Sequence, residues 1–407
     1  MPITVIDAMC GTGKTQGAIK YMNERNKDSS FIYITPYKKE IDRIIKACPA
    51  LDFQTGRDGR KVYDLRSGLA KGKNFCCTHE AFLYLDENDI QFIKQHNYTV
   101  ICDEVLDVIE IAPSKPADVE FLRNNFLDID SNGEITLNET GESYDGEAFK
   151  EELQLIKRKR MILTDDNKLI RLFPADLLRA AKDVFILTYM FPFTVMRCYC
   201  ELTGIDYKVF TMKEKNWDWD ISPHDGYYYE PWLSSLFDIY NGKHNEIGMG
   251  RTALSKGFFG LNGNVSDYMK KKRRNILKRA LYNVLHNDYR AKGNSILWTI
   301  WKGLEDTIAT NGYKKRFAPC NIRATNRFRQ CTNLVYAVNS FPNVYLQTFF
   351  KSHGIILNAD GWALSELIQF VMRSAARDGE RVNIYIPSER MRTLFSEFLA
   401  HGIKATI

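Results

Sequence analysis

The chain has 407 residues, 44% hydrophobic and 26% charged, which is ordinary for a soluble globular protein with substantial cores in two or three domains. No long apolar run lacks charges and Met1 leads almost at once into a strand-like run, so neither a transmembrane helix nor a signal peptide is expected, and the protein is placed in the cytoplasm with no membrane partner. The formal net charge of +6 is mild and excludes little; its clustering says more than its size.

The first predicted element is a short β-branched strand over residues 3–6. It runs into Ala8-Met9-Cys10-Gly11-Thr12-Gly13-Lys14-Thr15 and a helix over 15–23. Strand, glycine-rich loop and helix in that order form a phosphate-binding loop. The Gly11-Thr12-Gly13 turn lets backbone amides point inward around a phosphate, and the helix start adds its positive dipole. Lys14 would meet the β- and γ-phosphates, and Thr15 would offer its hydroxyl to Mg²⁺. The local form is Ala-x-x-Gly-x-Gly-Lys-Thr, with Ala8 where a glycine is usual. The alternative is a plain glycine turn between strand and helix.

A strand over 31–34, a helix over about 38–48, a strand over 74–77 and a helix over about 80–85 follow. Next comes a buried, β-branched strand over 98–102 that ends in Asp103-Glu104. An acid at the carboxyl end of a parallel strand lies in the crevice where ligands bind. Asp103 would hold the Mg²⁺, and Glu104 would orient and deprotonate the attacking water. Such a pair is a common strand ending by itself; it gains weight from the upstream Gly-Lys-Thr. Asp107 reads as a solvated helix-start residue.

Residues 113–160 break the rhythm with Pro113, Pro116 and Asn132-Gly133, and read as an insertion carrying a short hairpin. A strand over 184–188 completes the first domain. Buried strands separated by helices predict a parallel sheet covered on both faces. The division is placed at 1–190 and 191–407.

The second part opens on an elaboration over 215–295, irregular or helical, rich in aromatics (Trp217, Trp219, Tyr227, Tyr228, Tyr229, Trp232). Tyr227 to Trp232 read as base-stacking residues or as core. Strands are expected over 295–299, 344–350 and 382–386, with helices over about 363–377 and 389–401. Two basic blocks, Lys157-Arg158-Lys159-Arg160 and Lys270-Lys271-Lys272-Arg273-Arg274 with Lys278-Arg279, suit a polyanion, although each alone reads as a solvated helix face. Nine scattered cysteines, an odd number, read as reduced thiols, and Cys198-Tyr199-Cys200 lacks both the spacing and the second pair of a zinc site.

Taken in order, these segments resemble a superfamily 2 DNA helicase, DEAD/DEAH-like and of the kind found in phage replication modules, over most of the chain. Thr35 and Pro36 of Ile34-Thr35-Pro36 stand at that family's first nucleic-acid-contacting motif, and Thr78 of Thr78-His79-Glu80 at a second. Thr188 of Leu187-Thr188-Tyr189 stands in the coupling motif, with Tyr189 replacing one of its residues. A threonine after a strand is equally a helix cap. Gln369-Phe370-Val371-Met372-Arg373-Ser374-Ala375-Ala376-Arg377 resembles the family's glutamine followed by two arginines. On one helix Gln369, Arg373 and Arg377 would be spaced i, i+4, i+8 and share a face, and the arginines would act as fingers on the γ-phosphate. The usual spacing to the second arginine is one residue shorter, which leaves open which one is the finger; the alternative is an exposed basic helix. Thr325, Asn326 and Arg329 resemble a nucleotide- or strand-contacting segment of phage helicase-like proteins, while Tyr336 and Asn339 read equally as core residue and helix end. The chain starts at the phosphate loop, so no adenine-reading glutamine motif is expected before it. Asp103-Glu104-Val105 also departs from Asp-Glu-Ala-Asp. Both features point away from DEAD-box RNA helicases.

The resemblance implies an α/β fold of two RecA-like P-loop NTPase domains with parallel sheets and insertions in both. ATP and Mg²⁺ would be the cofactors and hydrolysis would be coupled to domain closure. Single-stranded or forked DNA is the expected partner, RNA the alternative, with replication proteins as further partners; a phage-encoded chain would act in the host cytoplasm. A nucleoprotein-remodelling or loading ATPase that does not unwind, and a nucleotide-dependent binding switch, are the competing readings. A nucleotide kinase is disfavoured by the lack of a lid.

Overall fold

A computed structural model of the chain describes residues 2–25, 29–130, 134–164, 166–212, 220–309, 312–321 and 327–406. The apolar runs form strands because their alternate residues find two different cores. Val5, Ile32, Ile34, Val100, Cys102 and Ile186 pack into one cluster; Ile6, Phe31, Tyr33, Ile101 and Leu187 pack into another. A period of two with both faces apolar produces a sheet buried on both sides.

The first-unit strands are β1 (Ile3–Asp7), β2 (Ser30–Thr35), β3 (Gln54–Thr55), β4 (Phe75–Thr78), β5 (Tyr98–Asp103), β6 (Ile109–Ile111), β7 (Leu127–Ile129), β8 (Ile135–Leu137), β9 (Met161–Leu163), β10 (Leu169–Leu172), β11 (Asp183–Thr188), β12 (Tyr207–Met212) and β13 (Ile221–Pro223). The main sheet runs β13-β12-β1-β11-β5-β2-β4-β3, parallel except for the β12–β13 pair. Its register aligns the carboxyl ends: Asp7 lies opposite Thr188, Leu187 opposite Asp103, and Thr35 opposite Thr78.

The insertion is a small body with its own core of Val119, Leu122, Phe126, Ile135, Ile156 and Met161. Its antiparallel sheet, β6-β10-β9, carries it on to Leu172, beyond the expected end at 160, because β10 pairs with both β6 and β9. Strands β7 and β8 pair antiparallel, as a hairpin at Asn132-Gly133 requires; that turn itself lies outside the described residues.

The chain forms two compact units, Met1–Ala8 with Thr12–Pro223 and Asn343–Leu357, and Met9–Gly11 with His224–Pro342 and Asn358–Ile407. This differs from a division at 190/191. Strand β12 pairs parallel with β1, and a long-range pairing of that kind has no local signal in sequence.

In the second unit, β14 (Tyr227–Tyr228) pairs with β19 (Ile403–Lys404), and β15 (Phe237–Ile239), β16 (Ile296–Thr299), β17 (Asn333–Tyr336) and β18 (Val382–Tyr385) form a parallel sheet in the order β15-β18-β17-β16. Trp298, Val335 and Tyr385 pack against Leu277, Leu281 and Val284 of the helix Asp267–Tyr282 and the π-helical turn that follows it. Tyr228 is core, whereas Tyr227 and Trp232 are exposed; Trp217 and Trp219 lie outside the described residues. Both units are thus α/β bodies on parallel sheets, the architecture of two RecA-like domains with insertions. No helix among the described residues is long and apolar enough to cross a membrane.

Two expected elements differ. Residues 344–350 form a helix, Val344–Ser352, not a strand. Leu346, Phe349 and Phe350 are buried at helical spacing while Val344 and Tyr345 are exposed, and the Asn343 side chain caps it by accepting from the Tyr345 N–H at 2.9 Å. The helix expected over 363–377 is Ala359–Val371, followed by a turn and a short 3₁₀ helix, Ala375–Asp378. The Ser374 hydroxyl donates to the Val371 carbonyl and accepts from the Ala376 N–H, which gives the backbone an alternative to continuing the α-helix. Gln369 is therefore in the last helical turn, Arg373 in the turn beyond and Arg377 in the 3₁₀ helix. They do not share one helix face.

Candidate nucleotide-binding site

Strand β1 delivers the glycine loop to the carboxyl edge of the sheet. Gly11 and Gly13 both have φ 96°, a left-handed conformation that side chains with a Cβ resist. The helix Lys14–Glu24 starts immediately after, with Gly13 as its N-cap and no side-chain cap for its first amides. Those amides and the helix dipole are what an anion needs. The Lys14 ammonium donates to the Ala8 carbonyl across the loop. Ala8 is not in the left-handed region, so its Cβ is no hindrance where glycine is usual, and its N–H donates to the Thr188 carbonyl at 3.0 Å.

Asp103 ends β5, one strand away from β1. The Thr15 hydroxyl lies 3.4 Å from both of its carboxylate oxygens. The Tyr33 hydroxyl donates to Asp103 Oδ2 at 3.1 Å, and His79 Nε2 is 3.1 Å from the Asp103 carbonyl oxygen. Burial above all, then the neighbouring Glu104 charge, push the Asp103 carboxyl up to about 7, against the Tyr33 hydrogen bond and Lys14, which pull it down. A hydroxyl and a carboxylate that converge here, with the carboxylate short of positive charge, fit Mg²⁺, which takes oxygen ligands and keeps places for phosphate and water. Glu104 sits at φ 74° and its N–H donates to the Leu187 carbonyl at 2.9 Å. Left-handed backbone in a glutamate is strain of the kind that gathers at functional sites.

The Asp103 shift has a consequence for stability. The folded protein holds a proton that the unfolded chain releases above a pH of about 4. This contribution is complete below the unfolded value and is lost as pH rises through about 7. The metal-free protein should lose melting temperature between about pH 4 and pH 7, by an effect of at most about 4 kcal/mol. Asp103→Asn should flatten that slope, and Mg²⁺ should restore the wild-type midpoint at the higher pH. An equal slope in the variant, followed by calorimetry, would contradict the assignment.

Several supporting residues carry no motif. Asp7 is fully buried and accepts from the Met190 N–H at 2.7 Å and the Phe191 N–H at 2.8 Å, holding Met190 at φ 62°. It ties the turn after β11 to the root of the loop. An acid ending an otherwise apolar strand is the only sequence signal for it. Tyr33 and His79 were missed because only strand register brings them to Asp103.

The residues expected at nucleic acid are more varied. Thr188 is buried beside the loop root. Thr35 is fully buried, its hydroxyl without a hydrogen-bond partner among the described residues, and Pro36 is half-buried. Thr78 caps the helix His79–Leu83, accepting from the Ala81 N–H at 3.3 Å. Thr78 also lines a groove of about 330 Å³ with Lys38, Thr55, Arg57 and Lys61, of which Lys38 pairs with Asp58 and Arg57 with Asp64. Thr325 and Asn326 lie outside the described residues. In the second unit Arg329 pairs with Asp378, Arg373 is 6% exposed, and burial pushes the half-buried Arg377 guanidinium below its ordinary value.

Comparison with known proteins gives a relative 34% identical over 417 residues, covering 98% of both chains: the SPbeta prophage-derived protein YonV of Bacillus subtilis (strain 168). Residues 232–399 match the family model described as the YonV C-terminal Rossmann-like domain. Among solved structures, Xpd4 of S. tokodaii is similar at 12% identity and a TM-score of 0.48, over 99% of this chain and 94% of that one. The Hef helicase domain of Pyrococcus furiosus is similar at 10% identity and a TM-score of 0.33, over 95% and 92%.

Proposed function

The chain belongs to the YonV family, and from that premise we propose that it is a nucleic-acid-dependent ATPase of the superfamily 2 helicase type, moving along or unwinding DNA in replication or recombination. The observation that carries this reading is the 3.4 Å approach of the Thr15 hydroxyl to the Asp103 carboxylate beside a Gly-Lys-Thr loop. The loop amides and Lys14 bind the triphosphate. Thr15 and Asp103 would hold Mg²⁺, which would supply positive charge for the phosphate oxygens. Tyr33 orients Asp103, and Glu104 takes the proton of the attacking water. Arg373 and Arg377 are proposed to meet the γ-phosphate, on the strength of their order in the chain, with Gln369 assisting. Thr78 and the cations of its groove are proposed to contact strand phosphates, with Thr188 relaying the state of the loop.

The test measures ATP hydrolysis alone and with single-stranded DNA, single-stranded RNA or a forked duplex, then strand separation on the fork. DNA should stimulate hydrolysis most. No stimulation by any nucleic acid would sink the reading, and stimulation without strand separation would favour remodelling or loading. In the same assay Arg377→Ala should lower kcat at least about tenfold, the loss of one charge-assisted contact, with nucleotide affinity retained. Equal losses in both would contradict a finger role.

A further inference from the structure

The helix Asp267–Tyr282 buries one side only. Leu277, Ala280 and Leu281 enter the core. On the opposite side Tyr268, Lys272, Asn275, Arg279 and Tyr282, spaced four, three, four and three residues apart, form one exposed stripe, with Lys271 on its flank. Tyr268 is 72% exposed and Tyr282 42%, and Tyr282 stacks on His286 with ring centroids 5.0 Å apart.

No acidic residue occurs between Asp267 and Asp288, while seven lysines and arginines do. Lys270 pairs with Asp267, and Arg273 is spent on the Phe258 carbonyl and ring. Lys271, Lys272, Lys278 and Arg279 have no ion pair among the described residues. Like charges at i, i+3 and i+4 destabilise a helix, so Lys271, Lys272, Lys278 and Arg279 carry a repulsive cost that no acidic partner among the described residues relieves. Two large rings held in water beside those charges add a second cost.

We infer that this stripe is a binding surface for single-stranded nucleic acid, separate from the strand-contacting threonines. The inference rests on the nucleic-acid reading above and gives that partner a second surface. Phosphates would relieve the charge repulsion and unpaired bases would cover the rings. The distance from Tyr268 to Tyr282 is about 21 Å along the helix. At roughly 3.4 Å per nucleotide that is about six nucleotides between the two rings. A π-helical turn, Asn283–Asp288, follows at the Tyr282 end, a feature frequent at functional sites. A lipid surface fits less well, because the helix's apolar side is already occupied by the core.

The test is anisotropy of labelled oligothymidylate with the full chain, over a salt series. Lys271→Glu/Lys272→Glu/Arg279→Glu should weaken binding at least about tenfold and reduce the salt slope by about two, the value for three lost contacts to a single strand. Tyr268→Ala/Tyr282→Ala should weaken binding by roughly tenfold or more with the salt slope unchanged. Hydrolysis without nucleic acid should be wild-type in both. Wild-type affinity and slope in the charge variant would overturn the inference. So would a loss confined to vesicles of equal phosphatidylcholine and phosphatidylserine. If oligothymidylate binds and the variants weaken it, but nucleic acid never stimulates hydrolysis, the ATPase reading fails and this surface stands. If stimulation is present and both variants bind normally, only this surface fails.

Discussion

Glu104→Gln should lower ATP turnover by about three orders of magnitude while leaving ATP binding intact. The substitution keeps the shape of the side chain, so the left-handed backbone at φ 74° and the N–H bond to Leu187 should persist. It removes the group proposed to take the proton from water. It also removes the second-largest influence raising the Asp103 carboxyl, whose titration should then move down toward the ordinary range. Asp103 would be a better cation ligand in the variant than in the wild type, so Mg²⁺-dependent nucleotide affinity should be equal or higher. Binding of a fluorescent ATP analogue and single-turnover hydrolysis measure the two effects separately. A fall in turnover of less than about tenfold would remove Glu104 from the base role.

Lys14→Ala should cut turnover by about two to three orders of magnitude, the usual loss for one donor aimed at transition-state charge. At present the ammonium donates to a neutral carbonyl, that of Ala8. Exchanging that acceptor for the triphosphate replaces a neutral partner with an anionic one and strengthens the bond. The variant loses the Lys14 bond to Ala8, but Gly11 and Gly13 still set the loop's turns and the buried strand β1 still anchors it. The variant should therefore fold and bind oligonucleotide normally, with nucleotide affinity reduced. Turnover within tenfold of wild type would mean the loop serves another purpose.

These two residues, as proposed site residues, stand out in sequence for a physical reason. A phosphate loop is a contiguous motif whose glycines, lysine and threonine act within a few residues of one another. Asp103-Glu104 was legible because a β-branched run announces its strand and the acids announce its end. The threonines expected at nucleic acid were only half legible. Thr78 is the helix cap that the same pattern permits, and Thr35 is buried. The arginine segment misled in its geometry: a helix-like pattern from Gln369 to Arg377 conceals the break made by Ser374, whose hydroxyl bonds compete with the helix. Val344–Ser352 misled through its β-branched and aromatic residues, which burial at helical spacing overrides.

By itself the sequence determined the glycine loop between β1 and its helix, the acid-bearing strand, the α/β class and the parallel sheet, because each depends on local order and on hydrophobic period. Only the tertiary structure decided the rest. Strand order separates Asp7 from Asp103 by the width of β11, and register sets Tyr33 and His79 against Asp103. Pairing of β12 with β1 moves the boundary between units to Pro223. Packing of Leu277 and Leu281 leaves Tyr268, Lys272 and Arg279 outward. Those are contacts between residues far apart in the chain, fixed by burial and pairing that no window of sequence contains.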